Sequence, residues 1–161
     1  MGDGAARYCR VHPRFTLTAT PHVRQGHILA ATAIGDIYYW GKGVAIDYPR
    51  AMAAFKIGAE AGHALSQYLV GVMYCEGQGV DVDYKQARAW LEKAAAQDQP
   101  HAINSLGVMY DRGTGVIRSW RHARDLYRRA IQLGFSKAVD NLSGLTKDIQ
   151  EVIQRSCNLR G

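Results

Sequence analysis

Histidine and cysteine are the residue types of this chain that could bind a metal ion or act as nucleophile and base. The six histidines are scattered, without the paired spacing that a zinc site needs, and no His-Glu-x-x-His motif occurs. The cysteines, Cys9, Cys75 and Cys157, form no Cys-x-x-Cys pair, and the sequence places no base beside Cys75. We therefore expect no metal site, no cofactor and no catalytic residue, so the sequence argues against an enzyme.

Glycine-rich loops are a second possible source of chemistry, because their backbone amides can bind phosphate. The element Gly-x-Gly-Val occurs in three copies, whose glycines are Gly41, Gly43, Gly77, Gly79, Gly113 and Gly115. Each copy follows a predicted helix rather than a strand, and none is followed by Gly-Lys-Ser or Gly-Lys-Thr. These glycines are therefore interpreted as structural residues of a loop in which the chain leaves a helix and reverses direction.

Arginine is concentrated in residues 99–134, which hold six arginines against two acids in a chain of net charge +6. Arg121, Arg124 and Arg128 recur at helical spacing and share one stripe, which would suit RNA or a phosphorylated or acidic partner. The alternative interpretation is a solvated outer helix face. Nucleic-acid binding would also require exposed aromatic residues between the arginines, and the aromatic residues of this stretch are predicted to lie in the core.

A five-residue element that recurs every 36 residues indicates the architecture that positions these groups. Its three copies are Ile34-Gly35-Asp36-Ile37-Tyr38, Val70-Gly71-Val72-Met73-Tyr74 and Leu106-Gly107-Val108-Met109-Tyr110. Periods of about 20–50 residues are typical of stacked-repeat proteins. The apolar residues of each copy have helical spacing, and a second helix is predicted after the loop, so each copy is interpreted as a helical hairpin.

In each hairpin, one position of the first predicted helix is a glycine and one position of the second is a large residue. A glycine inside a helix costs about 1 kcal/mol relative to alanine, so its recurrence at Gly35, Gly71 and Gly107 implies that a partner helix approaches closely there. The second helix begins after a capping residue, which is Asp47, Asp83 or Ser119. One large position recurs along this helix as Phe55, Leu91 and Tyr127.

Together these residues resemble the Sel-one-like repeat, a family related to the tetratricopeptide repeat. The second copy carries the family pattern in Ser66, Val70-Gly71, Tyr74, Gly77, Gly79-Val80, Asp83-Tyr84, Ala87, Trp90 and Ala94-Ala95. The third copy departs from it where Ser119-Trp120 replaces Asp-Tyr. The resemblance covers about residues 27–146 and implies a right-handed α/α superhelix that scaffolds or regulates other proteins.

The expected organisation is an all-α solenoid with atypical ends. Residues 1–26 are expected to form an irregular basic arm, followed by three repeats within 27–135. The repeats occupy about 27–62, 63–98 and 99–134, and a capping helix at 136–155 precedes a tail at 156–161. The odd number of cysteines favours the cytoplasm, with organelle targeting through the arginine-rich arm as the alternative.

The candidate partner-binding site is the concave groove formed by the first helices, where residues vary between the copies. Its predicted residues are Thr32, Asp36, Tyr39, Trp40, Tyr68, Val72, Cys75, Glu76, Asn104, Val108, Asp111 and Arg112. Their mixed chemistry predicts a protein–protein interaction scaffold that binds a peptide or helix of a partner. The alternatives are a basic adaptor acting through the arginine stripe and a structural spacer. For Trp40, the alternative to binding is that residues 1–26 cover it.

Overall fold

The computed structural model describes residues 21–158, and it describes the side chains of residues 25–155. This part of the chain contains seven α-helices and no strand. The helices are α1 (Pro21–Trp40), α2 (Tyr48–Glu60), α3 (Ala64–Glu76), α4 (Tyr84–Ala95), α5 (Pro100–Arg112), α6 (Trp120–Gln132) and α7 (Lys137–Asn158). Each helix packs against the next one in the chain. The predicted all-α superhelix of three helical hairpins with a C-terminal helix is therefore confirmed.

Two predicted boundaries differ from the structure. Helix α1 begins at Pro21, so residues 21–26 are helical and do not belong to an irregular arm. Proline fits the start of a helix because its missing N–H would have no intrahelical acceptor there. Helix α7 ends at Asn158 rather than at residue 155. Residues 1–20 of the predicted arm and residues 159–161 of the predicted tail lie outside the described residues.

Side-chain caps begin the second helix of each hairpin at the predicted residues. Asp47 Oδ1 accepts a hydrogen bond from the Arg50 amide at 3.0 Å, and Asp83 Oδ1 accepts from the Gln86 amide at 3.0 Å. Ser119 Oγ accepts from the His122 amide at 3.4 Å. These contacts satisfy amides that have no partner inside their own helix, which fixes where α2, α4 and α6 begin.

The helix glycines make room for one large side chain of the second helix. A Cβ atom on Gly107 would lie 2.6 Å from Tyr127 Cε1, and a Cβ atom on Gly71 would lie 2.8 Å from Leu91 Cγ. Gly35 packs in the same way against Phe55. The three large side chains are buried, so the small residue and the large residue of each hairpin fill one another's space.

Adding a methyl group at two helix glycines is expected to change stability in opposite directions. Gly107→Ala should lower the free energy of unfolding by about 1–3 kcal/mol, because the buried Tyr127 ring must move. Gly144→Ala in α7 is the matched control, since no atom lies within 4 Å of the added Cβ. It should raise stability by about 0.5–1 kcal/mol through helix propensity alone. Urea unfolding followed by circular dichroism measures both values, and equal shifts would contradict the packing argument.

Helix α7 covers the last hairpin with only part of its length. Ala138 and Leu145 are buried in a cluster with Tyr127, so the first half of α7 covers α6. Leu142 and Ile149 are half-buried, but Val139, Val152 and Ile153 are exposed. Helix α7 therefore packs on α6 mainly through its first half, because α6 is too short to cover the second half of a helix of this length.

Candidate functional site

A cleft of about 330 Å³ lies between α3 and α5. Five of the predicted groove residues line it together: Val72, Cys75, Glu76, Val108 and Arg112. The remaining lining residues are Tyr84, Leu91, Ser105, Met109 and Thr114. The first helices of the second and third hairpins form its two walls, and α4 contributes the residues between them.

The cleft combines an apolar interior with opposite charges at its edge. Leu91 and Met109 are buried, whereas Glu76 and Arg112 are exposed. These two residues occupy equivalent positions of neighbouring repeats, 36 residues apart, so the cleft carries an acid on α3 and a base on α5. A segment that crosses both helices would therefore meet an acidic side chain and a basic side chain in a defined order.

The thiol in the cleft is not activated. Burial raises the pKa of Cys75, and the nearby negative charge of Glu76 raises it further. Because the thiolate is the nucleophilic form, a raised pKa keeps Cys75 protonated and unreactive at neutral pH. The cleft therefore offers apolar contact and charge rather than covalent chemistry.

Tyr68 belongs to a row of rings that joins neighbouring repeats. Its ring centroid lies 5.4 Å from that of His101, which in turn lies 4.6 Å from Phe135. Burial raises the pKa of Tyr68, and the charge of Glu76 adds to the effect. The half-buried Tyr68 therefore packs the second hairpin against the third, and only part of its ring remains for a partner.

The predicted groove residues of the first repeat form a separate aromatic cluster. Tyr39 contacts Trp40 and Tyr48 edge to face, with centroid distances of 4.9 Å and 5.6 Å. Trp40 is 62% exposed and Asp36 is half-buried, and neither residue lines the cleft. The arm proposed as the alternative cover of Trp40 lies largely outside the described residues.

Two predicted groove residues are buried, and a third, Asp111, does not line the cleft. Asn104 is only 8% exposed, and its Oδ1 accepts a hydrogen bond of 2.8 Å from Asn141 Nδ2. Thr32 is buried, with its Oγ1 2.8 Å from Ser66 Oγ. The backbone carbonyl of Asp111 accepts a hydrogen bond from the Arg118 side chain. Thr32 and Asn104 contact the next helical hairpin or α7, so they join elements instead of facing a partner.

Ser66, one of the residues of the repeat pattern, lies at hydrogen-bond distance from a histidine. Ser66 Oγ is 2.8 Å from His63 Nδ1, which is the geometry of a nucleophile and its base. Ser66 is completely buried and also contacts Thr32, so no substrate can reach its hydroxyl. We interpret this triplet as a polar contact that links α1 to α3.

The arginine stripe of α6 is only partly free. Arg121 and Arg128 are exposed and form no ion pair with a described residue, whereas Arg124 Nη2 lies 3.1 Å from Asp125 Oδ1. The neighbouring Arg129 donates to the Ala95 carbonyl and the Asp98 carboxylate, at 3.0 Å and 2.7 Å. Arg129 therefore holds the third hairpin to the second.

The described residues contain neither a metal-binding cluster nor a membrane-spanning helix. No group of three or more histidine, cysteine, aspartate or glutamate residues in this part of the chain could hold a metal ion. None of its helices combines the length and the apolar character that crossing a membrane requires.

Comparison with known proteins shows three matches to the Sel1 repeat model, at residues 28–63, 64–99 and 100–135. A protective antigen of uropathogenic Escherichia coli, described as having an SLR fold, is 35% identical with a TM-score of 0.69, and the match covers 74% of this chain and 26% of that one. A Sel1 repeat protein from Oxalobacter formigenes is 32% identical with a TM-score of 0.70, and the match covers 76% of this chain and 50% of that one.

A third solved structure shows the fold alone. Helicobacter pylori cysteine rich protein B is 18% identical with a TM-score of 0.59, and the match covers 75% of this chain and 93% of that one. No curated protein matches the sequence significantly. The matched regions therefore span about a quarter and a half of the first two related structures.

Proposed function

Because this chain belongs to the Sel1 repeat family, whose members are generally protein-interaction scaffolds, we propose that it binds a peptide or helix of a partner protein without catalysis. The binding site in this proposal is the cleft between α3 and α5. The observation that carries the proposal is that Val72, Cys75, Glu76, Val108 and Arg112 line one cleft, although they come from two different repeats.

The chemistry of the cleft favours a segment that carries one apolar anchor between two charges. An apolar side chain would displace water from the walls formed by Val72 and Val108, which is the main source of affinity in such pockets. A basic residue on one side of the anchor would face Glu76, and an acidic residue on the other side would face Arg112. These rim charges would set the direction of the segment more than its affinity.

A charge reversal tests this orientation. A peptide library selected on the wild-type protein is expected to yield an apolar residue with a basic residue on one side and an acidic residue on the other. Selection on the Glu76→Lys/Arg112→Glu variant should yield the two charges in exchanged positions. Both substituted side chains are exposed, so the fold should be unaffected. Identical motifs from the two proteins would exclude this cleft as the binding site.

A second variant measures the contribution of the apolar wall. Val108→Asp should weaken binding of the selected peptide about tenfold or more, because it puts a charge where the anchor is desolvated. Val139→Asp in α7 is the matched control, since Val139 is exposed outside the cleft. Binding that resists Val108→Asp but disappears in Arg121→Glu/Arg128→Glu and falls steeply with salt would support the basic-adaptor alternative instead.

A further inference from the structure

One stripe of the first helices has a different environment in α1 than in α3 and α5. The stripe consists of Ser66, Val70 and Met73 in α3, Ala102, Leu106 and Met109 in α5, and Ala30, Ile34 and Ile37 in α1. All six residues of α3 and α5 are buried. In α1, Ala30 is exposed, Ile34 is 48% exposed and Ile37 is 38% exposed. The described residues therefore leave this stripe partly exposed in α1, whereas they bury the equivalent residues of α3 and α5.

The covering element inside the stack is always the second helix of the preceding hairpin. Val70 and Met73 share a buried cluster with Ala51 and Phe55 of α2. At the position of Ser66 the two helices come so close that a Cβ atom on Gly58 would lie 2.5 Å from Ser66 Oγ. The face that fits this stripe thus carries a large apolar residue and a small residue three positions later.

The loop glycines provide a second and independent sign of the same missing contact. A Cβ atom on Gly79 would lie 2.5 Å from the carbonyl carbon of Tyr48, and one on Gly115 would lie 2.5 Å from Tyr84 Cβ. Tyr48 and Tyr84 begin the second helices of the preceding hairpins. The equivalent Gly43 has no atom within 4 Å of its added Cβ.

We propose that Ala30, Ile34, Ile37 and Gly43, here called the α1 face, are a docking surface for the second helix of a repeat on another protein of this type. Such a helix carries a small residue at the position of Ala51, a large one at that of Phe55 and a small one at that of Gly58. This interface would repeat the α2–α3 and α4–α5 interfaces of this chain at the first helix of the stack. This surface is distinct from the cleft between α3 and α5.

A second copy of this chain does not offer the required helix. Its α2 is covered by α3, its α4 by α5 and its α6 by α7. Docking such a helix from a second copy would require a hairpin to open first. The occupant is therefore a repeat helix whose apolar face is free, as at the end of another stack.

A peptide of residues 83–97, which contains α4 and its cap Asp83, serves as the probe because its Leu91 and Ala94 already cover α5 in this protein. With a fluorescent label, it should bind the full chain saturably in an anisotropy titration. Ile34→Asp/Ile37→Asp should weaken binding about tenfold or more, because two apolar contacts become charged. A peptide carrying Leu91→Asp should show the same loss.

The control variant is Ile57→Asp/Ile117→Asp, which makes the same two substitutions at exposed isoleucines outside the α1 face and should leave binding unchanged. Circular dichroism checks that both variants keep their helices. The absence of saturable binding, or equal loss in both variants, would overturn the proposal. If deleting residues 1–20 raised the affinity for the peptide about tenfold, the α1 face would belong to that segment and the proposal would be overturned. A dimer of the chain alone that Ile34→Asp/Ile37→Asp dissolves would overturn it as well.

Discussion

Replacing Tyr127 with alanine is expected to lower the free energy of unfolding by about 3–5 kcal/mol, the largest effect of any single substitution argued from this structure. Tyr127 is 1% exposed and belongs to a buried cluster to which α4, α5, α6 and α7 all contribute. Its ring also fills the space opposite Gly107. Truncation would leave a cavity within this cluster, because rigid helix backbones cannot collapse into it completely. Urea unfolding followed by circular dichroism gives the value.

Tyr127→Phe is the control, because it keeps the ring and removes only the hydroxyl group. Near neutral pH it should cost no more than about 1.5 kcal/mol, the typical contribution of one hydrogen bond. A loss for Tyr127→Ala that is no larger than the loss for Tyr127→Phe would show that the ring does not hold the four helices together.

The wild-type protein and the Tyr127→Phe variant are expected to differ in their stability at alkaline pH. Burial raises the pKa of Tyr127, and the negative charge of Asp111 contributes in the same direction. The folded state therefore keeps its proton while the unfolded chain begins to lose it near the ordinary tyrosine pKa of about 10. Stability from this group is full below that pH and decreases as the pH rises above it. Tyr127→Phe should lack this component, whereas the raised pKa values of Tyr39 and Tyr68 affect both proteins.

The pairing of small and large residues within a hairpin could be predicted from the sequence. Gly71 and Leu91 each recur with the same period, and a glycine that costs helix propensity in every copy requires a compensating contact. The sequence alone does not identify the residue that contacts the glycine. It does show that one large residue recurs on the opposite helix with the same period. Equal periods therefore carry information about packing within a repeat.

Contacts between repeats were harder to predict, because they depend on how one hairpin rotates against the next. Asn104 was assigned to the groove because it varies between copies, yet its position is also the one that reaches the following element. Its equivalents Thr32 and Tyr68 make such contacts with different chemistry, a hydroxyl pair and a ring pair. Residues at this position therefore make different contacts across the repeat boundary, so their variation does not by itself indicate a binding surface.

The residues that line the cleft could also be predicted only in part. The first-helix residues Val72 and Val108 could be assigned from helix periodicity alone. Tyr84 and Thr114 could not, since one begins α4 and the other lies in the loop after α5. Both come to the cleft through the tertiary arrangement of the hairpin, which the repeat period does not describe.

Gly79→Ala is expected to lower the free energy of unfolding by about 2–5 kcal/mol, because two costs combine at this position. Its φ of +74° lies in the left-handed region, where an L side chain is strained. The added Cβ would also lie 2.5 Å from the carbonyl carbon of Tyr48 and 2.7 Å from the nitrogen of Pro49. These are backbone atoms at the start of α2, so relief requires the second hairpin to move away from the first.

Gly43→Ala separates the two costs, because Gly43 has a nearly equal φ of +78° and no atom within 4 Å of the added Cβ. Gly43→Ala should lower the free energy of unfolding only through backbone strain, by about 1–2 kcal/mol. The difference between the two variants in urea unfolding then measures how strongly the loop of one repeat is held against the helix of the preceding one. Equal losses of unfolding free energy would mean that neighbouring hairpins separate at little cost. The contacts between repeats would then give no support to docking at the α1 face. A larger loss for Gly79→Ala is expected, since its neighbour is main chain and cannot change rotamer.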